Sequence, residues 1–270
     1  MNAIDYRDTG GLKKSYEADG FCLVEGVYTE KQLTAIEAFF EEFKNAEAIF
    51  DGSDRYTESS KAERQVRALH PHRFSEQVQA WFLEPRVALV LEALFGKSPL
   101  GAQTMYYYKP PGAKGQAMHQ DNFSLLASPS TCIGAWTPID DADEFNGCLQ
   151  MVRGSHRHDI YCPEGAKAGR TLSYGDSHIS HFPRGQKPEP VPVKRGQTLL
   201  FHGNTIHGSG PNRTKDRYRR TFIGHYVSEE TETLAKFYHP ILNMAGKPVS
   251  KIKEFAGGGL CGDGWFGSIH

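Results

Sequence analysis

Residues 131–152, TCIGAWTPIDDADEFNGCLQMV, contain two short runs rich in aromatic and aliphatic residues, divided by a cluster of Asp, Asn and Gly. Comparable runs recur from about Leu100 onward, among them QTMYYYK (103–109), QTLLFH (197–202) and RTFIGHYV (220–227). Gly, Pro and Asn clusters separate these runs, as turns do between short strands. The pattern predicts an all-β sandwich or barrel.

A helix is predicted ahead of the strands, beginning at Thr29. The sequence T-E-K-Q at that point resembles a capping box, and Leu33, Ile36, Phe40 and Phe43 follow at helical spacing. We expect this apolar stripe to face the sheet.

A second helical stretch begins near Ser75, is interrupted or restarted at Pro85, and stops at Gly96. The polar segment 51–73 between the two helices has little apolar periodicity, which favours a surface loop or lid.

A chain of 270 residues with 39% hydrophobic residues is long enough for one large core, so we expect a single domain over residues 1–270. Within it, residues 1–99 would provide helical support and a lid, residues 100–230 the barrel, and residues 231–270 a C-terminal extension. The long segment 154–192 exceeds an ordinary hairpin connection and is expected to contribute to a substrate pocket.

The composition argues for a small-molecule ligand. Lysine plus arginine (31) nearly balance aspartate plus glutamate (32), so no basic excess points to nucleic acid or to a membrane surface. No apolar run approaches the roughly 20 residues that cross a bilayer, and the N-terminus lacks the order of a signal peptide, so we expect a cytoplasmic protein. The five cysteines form no C-x-x-C pair and are interpreted as reduced thiols.

The segment Met118–Asp121, MHQD, carries the residues that indicate chemistry. In an extended strand His119 and Asp121 project from the same face, so both can bind one metal ion. His207, in LLFHGNTIHGSG, is the expected third ligand. Two histidines and a carboxylate on one face of Fe(II) leave positions for a co-substrate and oxygen.

A 2-oxoglutarate co-substrate needs a cation for its distal carboxylate, ideally a guanidinium. Residues 213–227 offer four candidates. Strand alternation places Arg219 and Arg220 on opposite faces, so only one of them points inward, while Arg213 and Arg217 fall in the preceding turn.

The motifs KPPG, HQD, AWTPIDDADEFNGCLQMVRGSH, LLFHGNTIHGSGPN and RRTF, in this order, resemble the phytanoyl-CoA dioxygenase family over most of residues 100–226. The resemblance implies a double-stranded β-helix, a jelly-roll or cupin-like barrel, with flanking N-terminal helices. It also implies Fe(II) held by His119, Asp121 and His207, and the use of 2-oxoglutarate and O2 with release of succinate and CO2.

The resemblance places Arg219 on the distal carboxylate of 2-oxoglutarate, assisted by Ser209. It also assigns Trp136 and Met105 to the co-substrate pocket, and Gln120 lies between two ligands, within reach of 2-oxoglutarate. Arg219 stands one residue further from the last histidine than is common in the family, so Arg217 and Arg220 stay open as alternatives.

Candidates for contact with substrate come from three places. Because Tyr106 and Tyr108 alternate with Tyr107, one tyrosine face should point into the barrel, and we assign substrate contact to Tyr106 or Tyr108. The expected lid adds His70, His72 and Arg73. The long insert adds a set of basic and imidazole side chains, namely His156, His158, His178, His181 and Arg184.

The expected reaction is hydroxylation of a small, polar metabolite. Related halogenases carry a small residue where this chain has Asp121, so chlorination is disfavoured. Desaturation, cyclisation or demethylation would use the same ligands. A hydrolase or isomerase with Zn or Mn, or a 2-oxoglutarate-binding sensor, are the alternatives outside oxidation. We expect a monomer or homodimer.

Overall fold

The computed structural model describes residues 1–45, 66–129, 131–162, 178–257 and residue 261. No helix among them has the length and apolar character that crossing a membrane requires.

The chain forms five α-helices, three single-turn 3-10 helices and fifteen short or medium strands within the described residues. The helices are α1 (Thr9–Asp19), α2 (Glu30–Asn45), α3 (Glu76–Phe82), α4 (Pro85–Phe95) and α5 (Asn122–Leu125). The strands are β1 (Ile4–Asp5), β2 (Phe21–Glu25), β3 (Val66–Leu69), β4 (Pro99–Lys109), β5 (Gln116–His119), β6 (Cys132–Pro138), β7 (Leu149–Val152), β8 (Pro188–Val191), β9 (Thr198–His202), β10 (His207–Ser209), β11 (Arg219–Ser228), β12 (Thr233–Leu234), β13 (Ile241–Asn243), β14 (Pro248–Val249) and β15 (Lys253–Glu254).

Two sheets carry the architecture. The larger has the order β1-β2-β9-β6-β11-β4-β13-β14, with β3 added beside β4, and the smaller has the order β5-β10-β7-β8. Side chains of both sheets share one core cluster, in which Met105 and Trp136 of the larger sheet meet Leu149 and Met151 of the smaller. The two sheets therefore face each other, and the prediction of a mainly β barrel with flanking helices is confirmed.

Strand β4 separates the helical layer from the space between the sheets. Tyr106 stacks on Phe40 of α2 with ring centroids 4.0 Å apart, while Met105 and Tyr107 belong to the cluster between the sheets. Alternation along the strand produces these two environments, because successive side chains point to opposite faces.

The predicted helix boundaries agree with the capping contacts. The backbone N–H of Thr29 donates to Gln32 Oε1 at 2.9 Å and the Gln32 N–H donates to Thr29 Oγ1 at 3.3 Å, which is a reciprocal capping box. Ser75 caps α3, and α4 ends at Gly96 in the left-handed conformation with φ of 69°.

Several elements differ from expectation. The helix α1 and the strand β2 were not predicted, and Val66–Leu69 forms a strand within the segment that we interpreted as a loop or lid. Residues 46–65 of that segment lie outside the described residues, as do residues 163–177 of the long insert.

The cysteines are not all reduced. Cys162 and Cys261 form a disulfide that joins the long insert to the C-terminal segment, whereas Cys22, Cys132 and Cys148 are buried free thiols. The expectation of five reduced thiols is therefore wrong for one pair. Spacing alone could not reveal a pair that lies 99 residues apart.

We expect thiol labelling of the denatured, unreduced protein to modify three cysteines, and labelling after reduction to modify all five. Mass spectrometry of the labelled protein measures both numbers. Cys261→Ser should raise the number of labelled thiols in the unreduced protein to four, because it removes one partner of the bond and frees the other. Five reactive thiols in the unreduced wild type would contradict the pairing.

Candidate active site

Three potential metal ligands converge between the sheets. His119 ends β5, Asp121 follows in the turn that starts α5, and His207 begins β10 directly opposite His119 in the antiparallel pairing. One ligand atom from each of the three lies within 4.8 Å of the other two, and all three residues are buried. Asp121 reaches this position from a helical turn rather than from the strand that its spacing suggested.

Backbone contacts set the orientation of both imidazoles. His119 Nδ1 lies 2.8 Å from the carbonyl oxygen of Ala117, and His207 Nδ1 lies 3.0 Å from that of Thr205. A carbonyl oxygen only accepts, so each Nδ1 carries the proton and each Nε2 presents its lone pair. Both Nε2 atoms face Asp121 Oδ1, at 3.4 and 3.5 Å.

The second oxygen of Asp121 is held by a residue that sequence reasoning missed. His225 Nε2 lies 3.0 Å from Asp121 Oδ2, and His225 is 2% exposed. Its position could have been inferred from the alternation that links Arg219, Ile223 and His225 on one face of β11. One carboxylate oxygen is thus fixed by His225 while the other faces the two imidazoles.

The charge states suit metal coordination. Burial lowers the pKa of His207 to about 4, although Asp121 opposes that shift, so the imidazole is neutral at ordinary pH. Burial disfavours ionisation of Asp121, but the surrounding histidines, His207 and His225 first, hold the pKa of its carboxyl well below its usual value. A neutral His207 imidazole beside an ionised Asp121 carboxylate provides two donors of the kind that a divalent transition metal requires.

We expect His225→Leu to weaken metal binding by about 10- to 100-fold, because Asp121 loses the contact that orients it. Calorimetric titration of the apoprotein with Mn²⁺ measures the effect. His225→Gln, whose amide nitrogen reaches toward the same carboxylate, should recover part of the affinity, and exposed His158→Gln should change nothing. Equal metal affinity in His225→Leu and wild type would contradict an orienting role.

The three arginines that were candidates for binding the distal carboxylate of 2-oxoglutarate occupy different places in the structure. Arg219 is 5% exposed and its guanidinium lies 5.5 Å from the centre of the Trp136 ring. Arg220 is bound by Asp140 on the other face of the strand, at 2.6 and 2.9 Å. Arg217 forms a bidentate pair with Asp143 at the surface, at 2.7 and 3.0 Å. Arg219 is the one of these three that faces the space between the sheets.

A cavity surrounds the three converging residues. Its lining consists of Met105, Tyr107, Gln116, His119, Asp121, Trp136, Leu149, Phe201, His207, Ser209, Arg219, Ile223 and His225. The predicted co-substrate residues Met105, Trp136, Ser209 and Arg219 are thus all placed at this cavity. Tyr107, Gln116 and Phe201 were not anticipated there.

Gln120, the remaining predicted co-substrate residue, is not part of the cavity lining. Its amide nitrogen donates to the carbonyl oxygen of Asn204 at 2.8 Å, and its side-chain oxygen accepts from the backbone N–H of Tyr161 at 2.7 Å. The side chain points away from the cavity and connects the ligand segment to two neighbouring loops. The expectation that Gln120 reaches 2-oxoglutarate is wrong.

The proposed substrate tyrosines lie on the opposite face of β4. Tyr106 stacks on Phe40, and the Tyr108 hydroxyl donates to the carbonyl oxygen of Phe40. The assignment of Tyr106 and Tyr108 to substrate is therefore wrong, because the phase of the strand turns Tyr107 inward instead.

The predicted lid residues have structural partners. His72 Nδ1 lies 2.7 Å from Thr104 Oγ1, and Arg73 donates to the carbonyl oxygens of Phe237 and His239. Neither residue belongs to the cavity lining, so the structure does not bring His72 and Arg73 to the three converging ligands, and their contact with substrate stays a prediction.

His70 is also outside the cavity lining. It is 2% exposed, lies 3.3 Å from the Gln103 amide nitrogen and packs edge-on against Phe237 at 4.7 Å. None of the insert residues lines the cavity among the described residues, and most of them are exposed, namely His158, His178, His181 and Arg184. His156 packs against His202 with ring centroids 5.5 Å apart.

Solved structures of two enzymes share this fold. The epimerase SnoN, described as non-haem and α-ketoglutarate-dependent, from nogalamycin biosynthesis, is 21% identical, with a TM-score of 0.71 over 93% of this chain and 96% of the other. The carbocyclase SnoK from the same biosynthesis, also described as non-haem and α-ketoglutarate-dependent, is 19% identical, with a TM-score of 0.67 over 86% and 89% of the two chains. These likenesses establish the double-stranded β-helix.

The fold and the converging His-Asp-His residues define the class as a non-haem oxygenase that depends on Fe(II), 2-oxoglutarate and O2. The family model described as phytanoyl-CoA dioxygenase (PhyH) matches residues 16–221. Phytanoyl-CoA dioxygenase 1 of Oryza sativa subsp. japonica is 30% identical over 205 residues, covering 72% of this chain and 71% of the relative. The chain belongs to the phytanoyl-CoA dioxygenase family.

Proposed function

We propose that the protein hydroxylates a small, polar metabolite in a reaction that converts 2-oxoglutarate to succinate and CO2, with His119, Asp121 and His207 as the iron ligands. The observation that carries the proposal is the arrangement of the two Nε2 lone pairs and Asp121 Oδ1, which face one another within 4.8 Å. Backbone carbonyls and His225 hold that arrangement. An N, N, O donor set on one face suits Fe(II) and leaves room for co-substrate and oxygen.

The co-substrate end of the cavity is assigned to Arg219 and Ser209. Arg219 is buried against Trp136 and lines the cavity together with Ser209. A guanidinium and a hydroxyl are suitable donors for a carboxylate, and burial strengthens the interaction by excluding water. Trp136 and Met105 would contact the chain of 2-oxoglutarate between its two ends.

When bound, iron with 2-oxoglutarate and O2 supplies the oxidant for a C–H bond. The protein residues contribute orientation and exclusion of water. Phe201 packs against the His207 ring with centroids 4.5 Å apart. Together with Leu149 and Ile223 it gives the cavity an apolar wall. Among the other polar residues of the lining, His225 orients Asp121 and the Gln116 amide nitrogen lies 2.9 Å from His119 Nε2, so Tyr107 is the one that we assign to substrate.

The second candidate function is a different oxidative reaction at the same site. The related folds are described as an epimerase and a carbocyclase, so the oxidant can serve reactions other than hydroxylation. Desaturation, cyclisation and demethylation therefore remain alternatives that product analysis distinguishes. Zinc- or manganese-dependent hydrolysis or isomerisation would leave the inward Arg219 without a role.

The experiment is an incubation of the Fe(II)-loaded protein with 2-oxoglutarate, labelled O2 and a library of polar metabolites. Succinate formation that depends on O2 and is stimulated by one compound supports the oxygenase, and a product that carries labelled oxygen identifies hydroxylation. A product without added oxygen selects one of the other oxidative outcomes. Turnover without O2, or with Zn²⁺ alone, would overturn the proposal.

The cytoplasmic location, the single-domain organisation and the monomeric or dimeric state stay predictions. Cell fractionation tests the first, limited proteolysis the second, and light scattering of the purified protein the third.

A further inference from the structure

Lys109 is a buried cationic residue that the proposed function does not use. It is 1% exposed, ends β4 and lies opposite Arg219 in the antiparallel pairing with β11. Its Nζ donates to Ser209 Oγ at 3.0 Å and to the carbonyl oxygen of Gly210. Lys109 therefore contacts the second and third residues after His207, the third ligand of the site.

Three sequence motifs meet at the side-chain nitrogen of Lys109. Lys109 opens KPPG, Ser209 and Gly210 belong to HGSG, and Gly147 belongs to the FNGC segment. A Cβ at Gly147 would approach Lys109 Nζ to 2.9 Å and the Gly210 carbonyl oxygen even more closely. Gly147 adopts a φ of 83°, so a larger residue would be strained by its backbone as well as by the contact. The space for Lys109 therefore depends on this glycine.

Two donors saturate the oxygen of Ser209. Lys109 Nζ lies 3.0 Å away and the backbone N–H of Gln116 lies 3.2 Å away, and neither a lysine ammonium group nor a backbone N–H can accept a hydrogen bond from the hydroxyl. A hydroxyl oxygen has two lone pairs, and both are occupied here. Its single hydrogen must then point elsewhere, and Ser209 borders the cavity beside Arg219.

We propose that Lys109 is a positioning residue of the co-substrate site, which fixes the Ser209 hydroxyl so that its hydrogen is directed at the carboxylate held by Arg219. The inference rests on the proposed function, since it requires a dicarboxylate to bind with its distal end at Arg219. In this proposal Lys109 acts by orienting Ser209 and does not itself contact the co-substrate.

A neutral lysine can keep this arrangement when it donates both of its N–H groups. Burial, and then the guanidinium of Arg219, lower the pKa of Lys109 to about 6. A neutral amine still has two N–H groups, which match the two acceptors, Ser209 Oγ and the Gly210 carbonyl oxygen. With both N–H groups donated in this way, the hydroxyl hydrogen points in the same direction as it does beside an ammonium group, whereas an amine lone pair that accepted from Ser209 would reverse it.

The test compares two ligands in wild type and Lys109→Met. Binding to the anaerobic Fe(II) protein is titrated by the visible charge-transfer band of the bound 2-oxo acid, with 2-oxoglutarate and with 2-oxopentanoate, which has a methyl group in place of the distal carboxylate. Loss of one oriented hydrogen bond to a carboxylate should weaken 2-oxoglutarate about tenfold in Lys109→Met. The affinity for 2-oxopentanoate should not change.

A double-mutant cycle identifies the route of the effect. If Lys109 acts through Ser209, Lys109→Met should add less than about a twofold loss in a Ser209→Ala background. Lys109→Gln, which keeps an N–H donor on a shorter chain, should lose less affinity than Lys109→Met and provides a second variant if the methionine protein folds poorly. Exposed Lys194→Met is the control and should bind both ligands as wild type does.

Equal 2-oxoglutarate affinity in wild type and Lys109→Met would overturn the positioning role. An equal loss for both ligands would also overturn it, since that result indicates a general disturbance of the cavity. A wild-type protein that shows no preference for 2-oxoglutarate over 2-oxopentanoate would refute the proposed function itself, and the inference with it.

Discussion

Asp121→Ala is expected to abolish turnover and to reduce Fe(II) affinity by more than about 100-fold, beyond the loss typical of a residue that only orients a ligand. Asp121 Oδ1 faces the Nε2 atoms of His119 and His207 at 3.4 and 3.5 Å. Alanine removes the negative donor and leaves the buried His225 without its carboxylate partner. His119→Ala should have a comparable effect, since it removes a nitrogen donor.

Metal affinity is measured by titration of the apoprotein, and turnover by succinate release. The exposed Asp216→Ala is a control of the same chemical change away from the site, and it should retain wild-type values. Circular dichroism of each variant separates loss of metal from loss of fold. Full activity of folded, iron-loaded Asp121→Ala or His119→Ala would refute the ligand assignment.

Arg219→Ala is expected to raise the KM for 2-oxoglutarate by about 10- to 100-fold, with a smaller change in kcat, because charge-assisted hydrogen bonds to the distal carboxylate are lost. The Arg219 guanidinium lies inside the cavity beside Trp136, so no solvent replaces these bonds well. Titration of the rate with 2-oxoglutarate at saturating O2 measures the effect.

The same strand and turn supply matched controls for Arg219. Arg220→Ala breaks ion pairs with Asp140 and Glu41 on the outer face, so it should lower thermal stability while leaving the 2-oxoglutarate requirement unchanged. Arg217→Ala removes only the surface pair with Asp143 and should change neither quantity by much. If Arg220→Ala raised the KM and Arg219→Ala did not, Arg220 would be the residue that binds 2-oxoglutarate. The face of β11 that we assign to the cavity would then be wrong.

Elements with a strong local signal were predictable from the sequence. The capping box at Thr29 and the terminal glycine at Gly96 specify helix ends through nearby hydrogen bonds, and both predictions are confirmed. By contrast, α1 begins with two glycines beside its first residue and buries only Leu12 and Tyr16. That pattern is too sparse to separate a helix from a loop.

Contacts between distant segments were not predictable by periodicity. The alternation of side chains along β4 predicts that either Tyr107 or the pair Tyr106 and Tyr108 points into the barrel. Tyr107 is the one that does so, because the other face of β4 packs against α2. The same limit explains Gln120, whose partners Asn204 and Tyr161 come from loops far along the chain. The His225 contact and the Cys162–Cys261 bond likewise arise only when the chain is folded.

The two-sided character of β4 also matters for protein engineering. A mutant library limited to Met105, Tyr107 and their neighbour Ile223 on β11 would vary the reaction chamber, because these positions point away from the aromatic stack on α2. Selection for new compounds could then proceed without disturbing the stack of Tyr106 on Phe40. Randomising Tyr106 would instead lower thermal stability, because it disrupts the stack on Phe40, and it would not change the residues that line the chamber.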